Sequence, residues 1–166
     1  MPGSLIFLIL HRVLNMETDD LKIKIEDAKK LLIGLGKKEL SDENVASLKK
    51  ILEGRDYYII TSSENIDERL KDMNIVYPMS PDLKDEDWEK YLKWVSLTLN
   101  RELLVLELNV SFDHPEVIRF PFEKTVFYNL KSMLVRVNKT FYQIPEEIKE
   151  RACGIKKDGF ELLNEL

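Results

Sequence analysis

Residues 103–109, LLVLELN, are the strongest indication of the fold of this chain, together with residues 110–124 that follow, VSFDHPEVIRFPFEK. An apolar run without polar alternation predicts a strand that is buried on both faces, as in the centre of a parallel sheet. The run stops at small and polar residues, among them Asn109, Ser111 and Asp113. In open α/β sheets, ligands bind just beyond the carboxyl ends of such strands. This point of the sequence therefore marks the expected edge for a ligand site.

Further segments of the strand type alternate with helical patterns along the chain. The predicted strands are residues 30–34, 56–61, 74–77, 103–109, 132–137 and 152–155. The predicted helices lie within residues 21–28, 41–54, 62–73, 88–99, 121–131, 145–151 and 160–166. This alternation predicts an α/β fold, a Rossmann-like, doubly wound, mostly parallel six-stranded sheet with helices on both faces.

The composition is typical of one folded domain. Hydrophobic residues make up 44% and charged residues 33% of the 166 residues, which favours a packed core over disorder. The formal net charge of -5 argues against nucleic-acid binding, which needs a basic surface. We expect a single domain over residues 21–166, preceded by an N-terminal extension of residues 1–20.

The chain has few of the side chains that bind zinc. Its one cysteine, Cys153, excludes a disulfide within the chain, and its two histidines, His11 and His114, are far apart in sequence. Zinc sites combine several such ligands, so no metal is expected. The single cysteine fits a reducing, cytoplasmic setting. Residues 5–10, LIFLIL, are too few to span a bilayer, and residues 1–15 are expected to form an extension, a strand or a helix.

Glycines and polar residues follow four of the predicted strands at the point where each strand ends. They are Gly34 and Gly36 after the first strand, Asn65 and Asp67 after the second, Ser111 after the fourth and Asn138 after the fifth. Glycines in this place let backbone amides approach a phosphate, and polar side chains can bind a ribose. A tight turn, helix capping or local backbone hydrogen bonds would explain each residue equally well. Together they predict one crevice.

Four segments resemble the sirtuins, which are NAD-dependent protein deacylases and ADP-ribosyltransferases. These segments are residues 25–36 (IEDAKKLLIGLG), 56–67 (DYYIITSSENID), 103–124 (LLVLELNVSFDHPEVIRFPFEK) and 134–155 (LVRVNKTFYQIPEEIKERACGI). The likeness extends over about residues 21–166 and is strongest over residues 88–155. It implies NAD or ADP-ribose as the ligand. It also implies roles for the site residues: phosphate for Gly34 and Gly36, the nicotinamide ribose for Asn65 and Asp67, and the adenosine ribose for Ser111 and Asn138.

Several departures from the sirtuin pattern argue against deacylase activity. Met79 stands where the family has a histidine or glutamine as its base, and a thioether cannot transfer a proton. Lys38 replaces the serine of the phosphate loop, and Glu64 replaces a glutamine. The zinc-binding cysteine pairs and most of the small domain are missing. We therefore expect a shortened, degenerate sirtuin-like domain that binds NAD or ADP-ribose and lacks deacylase activity.

Two other functions stay open at this point. An active NAD-consuming enzyme, a glycohydrolase or an ADP-ribosyltransferase, would use Asp67 or Glu64 at an oxocarbenium-like centre. A protein-interaction module, binding a partner or a second copy, would have lost the nucleotide. Exposed apolar side chains at residues 5–10 or 120–122 would favour that third function. The fold alone does not decide between them.

Overall fold

The computed structural model describes residues 16–166 and shows a parallel sheet between two layers of helices. In chain order the elements are α1 (Thr18–Asp27), β1 (Lys30–Leu35), α2 (Asp42–Leu52), β2 (Asp56–Thr61), β3 (Ile75–Val76), α3 (Asp85–Leu97), β4 (Leu103–Leu108), α4 (Arg119–Tyr128), β5 (Ser132–Val137), β6 (Ala152–Ile155) and α5 (Gly159–Glu165). Short 3₁₀ helices, Glu68–Leu70 and Glu146–Arg151, precede β3 and β6.

The described residues begin within the extension predicted for residues 1–20. The extension predicted for residues 1–15 is outside them. The predicted domain start at residue 21 falls inside α1, and Met16, which precedes this helix, is buried in the core. Within residues 16–166, no helix is both long and apolar enough to cross a bilayer.

The sheet has six parallel strands in the order β3-β2-β1-β4-β5-β6. This confirms the predicted Rossmann-like, doubly wound fold. Strands β1 and β4 pair in the centre, from Leu31 opposite Leu104 to Leu35 opposite Leu108. The chain proceeds outward from β1 on one side and from β4 on the other, so the direction of winding changes between them. Such a switch point is where open α/β sheets bind their ligands.

Alternate side chains of the strands form one apolar core on each face of the sheet. Under α1, α2 and α5, the core contains Ile33 and Leu106 from the central strands. Under α3 and α4, it contains Leu32, Val105 and Phe122. These side chains are fully buried, and each contributes about 1.5–3 kcal/mol by leaving water. The predicted helices on both faces are therefore confirmed.

An ion pair interrupts the second core. Glu107 of β4 and Arg136 of β5 lie opposite each other, and each is at most 1% exposed. The Arg136 guanidinium donates to both Glu107 oxygens, to Glu123 of α4 at 2.9 Å and to the carbonyl of Gln143 at 2.9 Å. Burial raises the pKa of Glu107, and the hydrogen bonds from Arg136 oppose that rise. The pair thus joins two strands, a helix and the loop after β5.

Four helix predictions need correction. Residues 62–73 form only the turn Glu68–Leu70, which Asp67 caps, and Ile66 is 48% exposed. The physical reason is that Ser63 bonds the backbone of Asn65 and competes with a helix. Helix α3 ends at Leu97, so Leu99 lies beyond it, and the next residue, Asn100, has a φ of 63°.

The remaining two corrections concern helix type and boundaries. The segment Glu146–Arg151 is a 3₁₀ helix, and Pro145 is its N-cap instead of its first residue. Helix α4 begins at Arg119 and ends at Tyr128, earlier at both ends than predicted. Asn129 ends it, because its side-chain amide donates to the carbonyls of Thr98 and Arg101 near the end of α3.

Candidate ligand-binding site

A cavity of about 410 Å³ lies beyond the carboxyl ends of β1, β2 and β3. Residues 36–40, which follow β1, form one wall, and the segment from Ser63 to Leu70 forms the other, together with Tyr77. Three of the six predicted site residues line this cavity, namely Gly36, Asn65 and Asp67. The structure therefore brings half of the predicted residues together at one edge of the sheet.

The wall after β1 depends on a glycine. The Gly36 amide donates to the carbonyl of Leu108 at 2.9 Å, which holds this loop against β4. A Cβ atom on residue 36 would lie 1.8 Å from the carbonyl oxygen of Asn109, so only glycine fits. Beyond it, Lys37 and Lys38 are exposed and line the cavity. Their ammonium groups can attract an anionic ligand.

The opposite wall presents an amide side chain. The Ser63 hydroxyl accepts from the Asn65 backbone N–H and donates to the Asn65 carbonyl, both at 3.2 Å, which closes a tight turn. The Asn65 side chain is exposed at the tip of this turn. Within residues 16–166, no hydrogen-bond partner engages its amide group. It is therefore available to a ligand.

Asp67 and Arg69 link the two walls of the cavity. The Nε and Nη2 atoms of Arg69 donate to the two Asp67 oxygens at 3.0 and 2.7 Å. The same guanidinium donates across the cavity to the Leu40 carbonyl and to Asp42, each at 2.8 Å. The hydrogen bond from Arg69 is the main cause that lowers the pKa of Asp67. The carboxylate is thus ionised at neutral pH, and its charge is matched.

Tyr77 completes this network from the segment after β3. The Asp67 backbone N–H donates to the Tyr77 hydroxyl oxygen at 3.1 Å. Burial raises the pKa of Tyr77, so its hydroxyl keeps its proton and can still donate. The segments after β1, β2 and β3 are therefore held in one arrangement around the cavity.

Gly34 lies inside β1, where it faces α4. A Cβ atom there would be 2.7 Å from Ile118 and 2.8 Å from Phe122, both of which are buried. The absence of a side chain at Gly34 thus allows α4 to pack closely on the sheet. The strand continues one residue beyond the predicted end, to Leu35.

Ser111 and Asn138 also lie away from the cavity. The Asn138 amide nitrogen donates to the Val110 carbonyl at 3.0 Å, and its oxygen accepts from the backbone of Thr140 and Phe141 at 2.9 and 3.0 Å. The Ser111 hydroxyl accepts from the Asp113 amide at 3.3 Å. Both side chains therefore stabilise the loops after β4 and β5 in this structure.

The switch point between β1 and β4 is filled by Asn109. This residue has a φ of 57° and packs between two glycines, Gly36 on one side and Gly159 on the other. Its side-chain oxygen accepts from the Gly159 amide at 2.6 Å, and its nitrogen donates to Asp158 at 3.2 Å. The start of α5 is thereby fixed against the end of β4.

Sequence reasoning missed Arg69 and Tyr77 as parts of the site. An arginine two residues after Asp67 was a usable signal, because a guanidinium can bind a nearby carboxylate through two hydrogen bonds. Its bonds to Leu40 and Asp42 could not be inferred, since they span 29 and 27 residues. Tyr77 gave no signal beyond its place at the end of a predicted strand.

Neither of two side chains considered in connection with a catalytic base lies in the cavity. Met79 is not among its lining residues, and neither is His114. Among residues 16–166, no group of three or more histidine, cysteine, aspartate or glutamate side chains is arranged to hold a metal ion. The expectation of a protein without zinc stays a prediction.

Comparison with known proteins gives one partial similarity. No protein-family model matches the chain. A protein ADP-ribosyltransferase of Staphylococcus aureus (strain Mu50 / ATCC 700699) is 24% identical over 70 residues, which are 42% of this chain. The matched segment covers 22% of that relative. This chain is thus similar to a limited part of an ADP-ribosyltransferase.

Proposed function

We propose that this protein binds NAD or ADP-ribose in the cavity between the β1–α2 loop and the segment after β2, as a shortened sirtuin-like domain without deacylase activity. The observation that carries the proposal is the convergence of Gly36, Asn65 and Asp67 on one cavity at the carboxyl edge of a doubly wound sheet. The partial similarity to an ADP-ribosyltransferase supports the same class of ligand.

The lining suits the ribose phosphate portion of such a ligand. Lys37 and Lys38 supply positive charge on the wall that follows β1. The Asn65 amide can both donate to and accept from ribose hydroxyls. The Tyr77 hydroxyl adds one donor. These groups bind a ligand without any change in its covalent bonds.

The same cavity argues for binding without deacylation. Deacylation needs a group that activates a ribose hydroxyl, and a general base must lie within hydrogen-bond reach. The position after β3 that would supply this base in sirtuins holds Met79, which is outside the cavity. Between β1 and β2 the chain has one helix, α2, where sirtuins have a long insertion. We therefore propose that the acyl-lysine substrate has neither a base nor an opposing domain here.

Titration calorimetry with NAD and with ADP-ribose tests the proposal. We expect saturable binding of both ligands, weakened about tenfold by Lys38→Glu and by Asn65→Ala, since each change removes one polar contact worth about 1.4 kcal/mol. Lys93→Glu is the matched control, because Lys93 is exposed on α3 and is not among the residues that line the cavity. No heat at millimolar ligand would exclude the proposed function.

A second candidate, an enzyme that consumes NAD, is favoured by one observation. Asp67 lines the cavity and its pKa is lowered, so an ionised carboxylate faces the space where a ribose cation could form. The ion pair with Arg69 reduces the electric field of the Asp67 carboxylate, which favours binding of the ligand without a reaction. Release of free nicotinamide from NAD, lost in Asp67→Asn, would establish this second function instead.

A further inference from the structure

We infer that the cavity binds only one half of NAD, namely the ribose phosphate that carries the pyridine base. A mononucleotide should therefore bind as tightly as the dinucleotide. The inference rests on the proposed function and narrows its ligand class. It follows from where the cavity ends, from how the side chains beyond that end are used, and from the charges of the lining.

The cavity ends at Gly36. Its lining comes from the segments after β1, β2 and β3, and no residue that follows β4, β5 or β6 contributes to it. At that end the Gly36 backbone touches the Asn109 carbonyl, and Gly159 closes on Asn109 from the other side. A dinucleotide crosses the carboxyl edge of a doubly wound sheet at this switch point. Here the place is occupied by tightly packed backbone.

The polar side chains beyond this closure already bind nearby protein groups. Both polar atoms of the Asn138 amide bind the backbone of residues 110, 140 and 141. The Oδ1 atom of Asp158 accepts from the amides of Phe160 and Glu161 and from Asn109. Breaking such bonds to admit a ribose would leave buried groups unpaired, at a cost of about 1–3 kcal/mol each.

The charges of the cavity fit a ligand that carries both signs. Three cationic and three anionic side chains line it, and they are Lys37, Lys38, Arg69, Glu39, Asp67 and Glu68. A nicotinamide mononucleotide combines a cationic ring with a phosphate, whereas adenosine monophosphate has only the anion. The mixed lining therefore favours the pyridine half of NAD over its adenosine half.

Calorimetric titration of the full chain with four ligands tests the inference. We expect nicotinamide mononucleotide to bind with a Kd within about threefold of that for NAD, and adenosine monophosphate neither to bind nor to compete. Binding of NAD more than about tenfold tighter than the mononucleotide would overturn the inference and leave the proposed function intact. Heat from the mononucleotide alone, with none from NAD or ADP-ribose, would overturn both, because the inference requires NAD to bind through its mononucleotide half. Absence of heat with every ligand overturns both.

Two serine variants compare the pyridine half of NAD with its adenosine half. The hydroxyls of Ser63 and Ser111 each accept from the amide two residues further along, at 3.2 and 3.3 Å. Only Ser63 lines the cavity. We expect Ser63→Ala to raise the Kd for NAD and for the mononucleotide by the same factor, about fivefold. Ser111→Ala should change neither Kd by more than about twofold. A loss in Ser111→Ala for NAD alone would show an adenosine site and contradict the inference.

Discussion

Gly36 is the residue at which the sheet and the candidate site meet. Its amide binds the end of β4, and its Cα lies against the Asn109 backbone. Gly34, two residues earlier, has a different reason for lacking a side chain, since it faces the side chains of Ile118 and Phe122. Because backbone cannot rotate away as a side chain can, these two glycines should differ in tolerance to substitution.

Gly36→Ala is expected to lower the free energy of unfolding by more than about 4 kcal/mol, because the new methyl group would overlap a carbonyl oxygen. Gly34→Ala should cost about 1–3 kcal/mol through overpacking against α4. Denaturant unfolding followed by circular dichroism measures both. Gly54→Ala is the comparison, since no atom lies within 4 Å of an added Cβ there and only its φ of 70° disfavours alanine, by about 1–2 kcal/mol. Equal stability of the Gly36 and Gly54 variants would contradict this account.

At the level of elements, the Glu107–Arg136 pair holds the carboxyl half of the sheet together. It joins β4 to β5 inside an apolar core and reaches α4 through Glu123. Arg136 also binds the Gln143 carbonyl, so the loop after β5 depends on the same guanidinium. Such pairs lose much of their attraction to desolvation, but each partner needs the other.

Glu107→Leu and Arg136→Met should each lower the free energy of unfolding by about 3–5 kcal/mol, because each leaves one buried charge without its main partner. The double variant should cost clearly less than the sum of the two, since it removes both charges. Unfolding midpoints of the four proteins give the coupling directly. Additive costs would show that the two side chains act independently.

Across the complete fold, carboxylates with lowered pKa values tie distant segments together. Burial raises the pKa of Asp56, but the hydrogen bonds from Lys30 and Trp94 outweigh it. For Asp158 burial is likewise outweighed, by the hydrogen bonds from the Glu161 amide, Asn109 and the Phe160 amide. In Asp67 the hydrogen bond from Arg69 dominates. A carboxylate with a lower pKa in the folded state stabilises the fold where it is ionised.

The lowered pKa values predict how the free energy of unfolding responds to acid. The stabilisation is complete above the unfolded pKa, near 3.8, and is lost as the pH falls through the lower folded values. We expect Asp67→Asn to be less stable than the parent chain at about pH 7, and the difference to shrink towards about pH 2. Urea unfolding at both pH values measures this. A difference that grows on acidification would contradict the assigned role of the Asp67–Arg69 pair.

The strand patterns in the sequence were enough to predict the parallel sheet and its helices on both faces. Residues 103–108 are apolar except for Glu107, because β4 is covered on both faces. Consecutive residues of the sequence therefore show this burial directly. Helix ends were less predictable. The end of α4 depends on Asn129 and its partners Thr98 and Arg101, which are about 30 residues earlier in the chain.

Half of the expected site residues line one cavity. Contacts between residues that are distant in sequence again explain why the others do not. Asn65 and Asp67 follow a strand directly, so the position of β2 places them. Whether a side chain remains free for a ligand depends on neighbours from other segments. The Asn138 side chain forms hydrogen bonds with the backbone of residues 110, 140 and 141, and Arg69 donates to the Leu40 carbonyl. Periodicity along the chain thus established the architecture. Only the packing of remote segments established which polar groups are still available.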